Sequence, residues 1–340
     1  MFFNKVEKDI VSFTELHIRH LNLLVNLKTI STNNWFYKLA IINTLEDIKL
    51  FLTYLEKSKS RCIIAIQNRK IIGYLYIQQL NEKRTCLRIN PPEVIYDNLS
   101  ISKRELVLKL IQNSISHTNL KTSSWIISAD IYDEILISCS RELGFQPLQK
   151  TKLWSNNKPL ISEDYSIKEN LVEDFKSIDK NNVKKVLNFI RSSESNLIRN
   201  ILDLDQIDIF KRNDKNSGAI IINNQVIFTI LRDIRYKDNY VYSLISGASW
   251  DERMNSILKP LIIKIASRNP LSIFKTYAED NNLNSYLEDL NLVNFKNELI
   301  LVRDSLIKRD NKSVNKINNS LETILNKINP KGNTYPAPFP

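Results

Sequence analysis

Glycine is scarce in this chain, with 5 among 340 residues, and cysteine (3), histidine (3) and methionine (2) are scarcer still. The accompanying excess of Ile, Asn and Lys is what an AT-rich genome produces, so it carries no functional weight. Cys62, Cys86 and Cys139 are odd in number, far apart and in no C-x-x-C pair. That pattern excludes a disulfide framework and reads as buried thiols in a reducing compartment. His17, His20 and His117 form no zinc set, and no metal site is expected. No apolar run approaches the ~18 residues that span a bilayer, so no membrane partner is expected. Met1 to Ile10 carries Lys5, Glu7, Lys8 and Asp9 without an apolar stretch, unlike a secretory leader. The expected location is the cytoplasm.

What is present is a globular composition, 43% hydrophobic and 9% aromatic, at a length that suggests about two domains. The net charge of +11 is unevenly spread. Residues 1–160 hold 22 Lys and Arg against 14 Asp and Glu, whereas residues 161–310 hold 22 of each. The first half therefore favours anions, and the second does not.

An internal repeat organises the chain. Ser102 to Trp154, shifted by 147 positions, lies on Ser249 to Leu301 without a gap. Both copies open with S-x-x-E, Ser102/Glu105 and Ser249/Glu252, the pattern of a helix capping box. An apolar stripe at helical spacing follows in each: Val107, Leu110, Ile111 and Ile115, then Met254, Ile257, Leu258, Leu261, Ile262 and Ile265. Ile101 and Leu106 stand where a hydrophobic staple would form. Next come a strand (Trp125 to Ile131; Ile273 to Ala278), a helix led by Asp133 or Asp280, and a turn, Leu143-Gly144-Phe145 or Leu290-Asn291-Leu292. Gly or Asn at the centre of that turn suits left-handed backbone. Closing strands are expected over Leu148 to Trp154 and Glu298 to Val302.

Upstream, each copy carries a hairpin: Cys62 to Ile66, Asn68-Arg69, Ile71 to Ile77; and Ala219 to Ile222, Asn223-Asn224, Val226 to Leu231. The hairpin offset is 155, which leaves the first copy eight extra residues around Pro91 to Asn98. Two helical stretches are expected in Ser12 to Tyr54 and two more in Asn181 to Phe210. The expected division is 1–158, 165–308, and a mobile, proline-bearing tail over 309–340.

This order of helices, hairpin, strand Thr85 to Ile89, capped helix, strand, helix and Leu143-Gly144-Phe145 resembles the GNAT superfamily of acyl-CoA N-acyltransferases. The resemblance implies an α/β (α+β) fold of two GNAT-like domains. Each would be a mixed, mainly antiparallel sheet flanked by helices, with a splayed parallel strand pair that admits acyl-CoA. It further implies acetyl-CoA or another acyl-CoA as substrate and an amine acceptor, small molecule or protein. The family's pyrophosphate motif, Q/R-x-x-G-x-G/A, is absent from both copies; the first reads Asn98-Leu99-Ser100-Ile101-Ser102-Lys103-Arg104 and the second Ser246-Gly247-Ala248-Ser249-Trp250-Asp251-Glu252. The first copy pairs the longer loop with Lys103 and Arg104, where the second has Trp250 and Asp251. Ser100, Ile101, Ser102, Lys103 and Arg104 are therefore the candidate acyl-CoA contacts. Pro260 is expected to interrupt the second helix.

For catalysis, the family's acid is a Tyr four residues before the Gly; here Ser140 and, in the second copy, Leu287 take that place, with Tyr286 one residue away. Asp133 replaces the Asn that commonly opens the same helix. Tyr132 is the candidate acid, and Glu93 and Asp130 are the candidate bases. The alternative reading is a non-catalytic tandem module that binds through its basic first half. Nucleic acid is a possible but unfavoured partner, because no run of Lys and Arg is interleaved with aromatics.

Overall fold

A computed structural model describes residues 11–24, 37–38, 40–41, 44, 60–95, 100–117, 122–156, 174–233, 240–247 and 249–304. The expected inter-domain boundary near 158–165 and the tail over 309–340 lie outside these. Residues 1–304 form one compact unit.

The first half comprises β1 (Ser12–Glu15), a short helix α1 (Leu21–Leu24), β2 (Ser60–Gln67), β3 (Lys70–Gln79), β4 (Cys86–Ile89), β5 (Glu93–Val94), α2 (Lys103–Ser116), β6 (Ser124–Asp130), α3 (Glu134–Glu142) and β7 (Gln146–Ser155). The second comprises β8 (Phe175–Lys176), α4 (Val183–Ser193), α5 (Asn196–Leu202), α6 (Gln206–Lys211), β9 (Gly218–Ile222), β10 (Gln225–Arg232), β11 (Val241–Ser246), α7 (Met254–Arg268), β12 (Ile273–Tyr277), α8 (Asn281–Asp289) and β13 (Val293–Asp304). All the strands join one mixed sheet in the order β1-β2-β3-β4-β6-β13-β7-β12-β11-β10-β9-β8, with β5 added to β3. The β4–β6 and β11–β12 pairs are parallel, and the other pairs are antiparallel.

The local chemistry of the repeat accounts for the elements. Both hairpins turn on two residues with positive φ, Asn68 (50°) and Arg69 (58°), then Asn223 (50°) and Asn224 (66°). This is the type I′ geometry that matches strand twist. Asp133 and Asp280 cap α3 and α8, accepting the N–H of Leu136 at 3.0 Å and of Leu283 at 3.1 Å. Gly144 (φ 84°) and Asn291 (φ 60°) end them in left-handed backbone. Phe145 N–H reaches Ser140 C=O and Leu292 N–H reaches Leu287 C=O, which completes a Schellman motif in each. Ser102 caps α2 by accepting the Glu105 N–H at 3.1 Å, while the Glu105 carboxylate pairs with Lys109 at 2.8 Å. Ile101, Leu106, Val107, Leu110 and Ile111 are buried in one cluster with Ile127, Ala129 and Phe145. Fully burying each large aliphatic group contributes about 1.5–3 kcal/mol.

Four expectations are corrected. Ser12–Glu15 is strand, not helix, because Val11, Phe13 and their polar neighbours alternate with the period of two that a sheet requires. Asn181 to Phe210 gives three helices, because Ser195 and Asp205 each start a new one as a cap. Ser249 does not cap α7, which begins at Met254 after a turn in which Asp251 accepts the Arg253 N–H at 3.0 Å and its Nε–H at 2.9 Å. Pro260 does not interrupt α7 as expected: its missing N–H removes one hydrogen bond, and the helix continues from Met254 to Arg268.

The closing strands are exchanged. β13, from the second half, lies beside β6 of the first, and β7, from the first half, lies beside β12 of the second. Bulges at Leu148 in β7 and Phe295 in β13 occupy equivalent repeat positions. The turn after β3 docks on the second half as well: Asn81 Nδ2 donates to Leu202 C=O at 3.0 Å, and the Glu82 N–H to Asp208 at 2.8 Å.

Candidate functional site

The site starts from a strand pair that stops pairing. β4 and β6 are in register from Cys86–Ser124 to Ile89–Ile127. The Asn90 N–H then donates to Tyr76 C=O at 2.9 Å, on the side away from β6. Pro91 and Pro92 have no N–H to offer β6, and the chain rejoins β3 as β5, with Glu93 opposite Tyr74. β6 continues alone on this side through Ser128 to Asp130. A cavity of about 410 Å³ opens where the strands diverge, lined by Ile89, Asn90, Pro92, Glu93 and Ser128 of the first half.

The exchanged strand closes the cavity with Phe295, Lys296 and Glu298. Glu298 is 2% exposed, and the Lys296 Nζ lies 3.3 Å from its carboxylate. Glu93 is half-buried and accepts a 2.5 Å hydrogen bond from the Tyr74 hydroxyl. The Ser128 hydroxyl is 7% exposed by residue and finds no hydrogen-bond partner among the described residues. Behind the cavity, Gly73 lets β5 and α2 approach β3: a Cβ there would lie 3.0 Å from Glu93 C=O and 3.3 Å from Leu106 Cδ2.

The sequence-predicted residues divide by place. Glu93 lines the cavity. Asp130 stands at the end of β6 opposite Glu298, and its carboxylate accepts the Tyr132 N–H at 3.0 Å. Tyr132 is 82% exposed beyond the strand. Ser140 and its counterpart Leu287 are fully buried. At the start of α2, Ile101 is buried, Ser102 is the cap, and Ser100 Oγ accepts from Gln67 Nε2. Lys103 and Arg104 are exposed, with Arg104 paired to Glu142. Residues 96–99, between the cavity wall and this helix start, lie outside the described residues.

Sequence reasoning missed Ser128 and Glu298. A signal for Glu298 existed: it is a carboxylate leading the apolar run Leu299 to Val302, at the repeat position of Thr151.

The second half repeats the cleft in reduced form. β11 and β12 pair from Val241–Ile273 to Ser243–Lys275 and then part, around a cavity of about 90 Å³. Leu148, Gln149 and Thr151 line it, the repeat counterparts of Phe295, Lys296 and Glu298. At the start of α7 the Trp250 ring packs 5.4 Å from Tyr286, whose hydroxyl donates to Asn255 C=O at 2.9 Å. Among the described residues, no group of three or more His, Cys, Asp or Glu side chains could hold a metal ion. No described helix is long and apolar enough to cross a membrane.

No protein-family model and no curated protein matches the chain. Solved structures of similar shape include a tandem GNAT protein from the clavulanic acid biosynthesis pathway, at 9% identity, 87% of this chain and 98% of that one, TM-score 0.46. A GCN5-related N-acetyltransferase from Sphaerobacter thermophilus matches at 8% identity, 86% of this chain and 95% of that one, TM-score 0.45. A GCN5-related glucosamine N-acetyltransferase region of a fungal multi-domain GH3 β-N-acetylglucosaminidase matches at 10% identity, 87% of this chain and 38% of that one, TM-score 0.49.

Proposed function

We propose that the chain is a GNAT-type N-acyltransferase that takes acetyl-CoA or another acyl-CoA in the cleft of its first half and passes the acyl group to an amine. The observation that carries this reading is the divergence of β4 and β6 after Ile89 and Ile127 around a cavity of about 410 Å³. In this reading the thioester enters between the strands, and the phosphates lie toward Lys103, Arg104 and the N–H groups that open α2. The second half, with Trp250 and Asp251 at the equivalent helix start and a smaller cavity, supports the first by supplying β13.

The acceptor nitrogen attacks the thioester carbonyl carbon, the C–S bond breaks, and the thiolate leaves as CoA. Glu298 attracts the acceptor as an ammonium, which gives up one proton to solvent before attack, and Glu93, in the cavity wall, is the base that takes the second proton as the C–N bond forms. The leaving thiolate takes up one proton, so the products are the amide and the free thiol. In this reading Tyr132, exposed beyond the end of β6, returns the proton by way of solvent.

Melting curves with acetyl-CoA and longer acyl-CoAs test the proposal. Saturation at ~100 times the dissociation constant stabilises the fold by about 2.7 kcal/mol. Combining Lys103→Glu with Arg104→Glu should weaken binding by about an order of magnitude. No stabilisation by any acyl-CoA would overturn the enzymatic reading and leave the non-catalytic module.

A further inference from the structure

The smaller cavity has a chemistry that acyl transfer in the first half does not use. One wall is aliphatic, built from Ile126, Ile198, Ile201, Leu202 and Ile300. The other is charged and joins the halves. Asp233 Oδ1 accepts from Arg88 at 3.1 Å and its Oδ2 from Lys275 at 3.3 Å, so one carboxylate serves two cations. A third cation, Arg212, donates through Nη2 to Leu80 C=O at 3.2 Å. The remaining carboxylate, Glu194, accepts the Tyr277 hydroxyl at 3.1 Å. On the lining three cations face two carboxylates, and Asp208 lies within electrostatic reach of Arg212.

Thr151 and Arg212 each leave a buried donor on this lining unmet. Thr151 is 1% exposed, and its hydroxyl finds no partner among the described residues; neither does the buried Arg212 Nε–H. Native proteins seldom leave such groups unsatisfied. A water needs roughly 10–15 Å³ of this kind of volume. A cavity of about 90 Å³ therefore admits a molecule of roughly six to nine heavy atoms.

We propose that this cavity binds a short aliphatic carboxylate of about four to six carbons, its oxygens held by Arg212 and Thr151 and its hydrocarbon laid against the Ile and Leu wall. The site shares only Arg88 with the lining of the proposed acyl-CoA cleft, so either ligand can bind without the other.

The test uses the full chain with three probes of one shape: 3-methylbutanoate, 3-methylbutanamide and 3-methylbutylamine. The carboxylate is expected to raise the melting temperature saturably, and the amide and amine are not. Thr151→Val should weaken carboxylate binding about tenfold, and Ile201→Phe, which fills the cavity, should abolish it. If Ile201→Phe fails to fold, Thr151→Val decides. Lys103→Glu with Arg104→Glu should leave carboxylate binding intact, which separates this site from the acyl-CoA reading. No stabilisation of the wild-type chain by the carboxylate, an equal response to the amide or amine, or unchanged affinity in Thr151→Val would overturn the proposal.

Discussion

Thr151 and Glu298 face each other across the β7–β13 ladder, and each is the other's counterpart in the internal repeat. Exchanging the two copies maps this pair onto itself, and likewise maps Lys150–Leu299 onto Asn297–Lys152. A local two-fold axis therefore passes between Thr151 and Glu298, at the centre of the row Asp130, Glu298, Thr151, Tyr277. With Thr at one position and Glu at the other, two equivalent clefts acquire different chemistry.

This relationship predicts how the halves behave apart. Residues 1–158 alone keep β7 but lose β13, the neighbour of both β6 and β7. Two such fragments can rebuild the centre by pairing β7 with β7, so light scattering should find a dimer. A stable, folded monomer would count against the exchange.

Equivalent serines should not behave equivalently. Ser102→Ala removes the cap of α2 and should cost about 1 kcal/mol in chemical denaturation. Ser249→Ala should cost a few tenths at most, because α7 starts beyond it. Equal losses would contradict the observed helix start.

Gly73→Ala should push β5 off β3, because the new methyl meets the Glu93 carbonyl and Leu106. Overpacking of this kind costs about 1–3 kcal/mol. The same variant should bind acyl-CoA less tightly through displacement of Glu93, readable by titration calorimetry. Unchanged stability and affinity would separate Gly73 from the cleft.

Glu194 gives stability a pH dependence of defined sign. Burial raises its carboxyl above the ordinary 4.5, outweighing the Tyr277 hydrogen bond and the nearby Arg212, Lys275 and Arg199. The folded chain then holds the proton more tightly than the unfolded one, so this group's contribution falls as pH rises from about 4.5 to the folded value. Glu194→Gln should flatten the stability profile across that interval. A variant with the wild-type slope would refute the assignment.

The three thiols should be silent in the folded chain. Cys62, Cys86 and Cys139 are buried and free, and burial pushes Cys86 up to about 12. A thiol-reactive dye should label none of them natively and all three in denaturant. Fast native labelling would mean that one of these pockets opens.

Legibility followed range. The caps at Ser102, Asp133 and Asp280, the left-handed Gly144 and Asn291, and both hairpin turns depend on neighbours within a few residues, so the sequence alone places them. The strand exchange depends on which of two similar clefts a closing strand enters, and no local pattern encodes that. Glu298 stands out locally as a carboxylate leading an apolar run, but which cleft it enters is set by a neighbour, Asp130, 168 positions away in the chain. Cap chemistry also misled at Ser249, where the Asp251–Arg253 contact outcompetes an otherwise good capping pattern.

The sheet's rims carry a consequence for solubility. Among the described residues its outermost strands are β1, four residues long, and β8, two residues long, the latter seated closely on Gly218. A fibre grows by recruiting a new chain onto a long, bare rim. A thirteen-stranded sheet that tapers to so little at either side offers few rungs on which such a polymer could start.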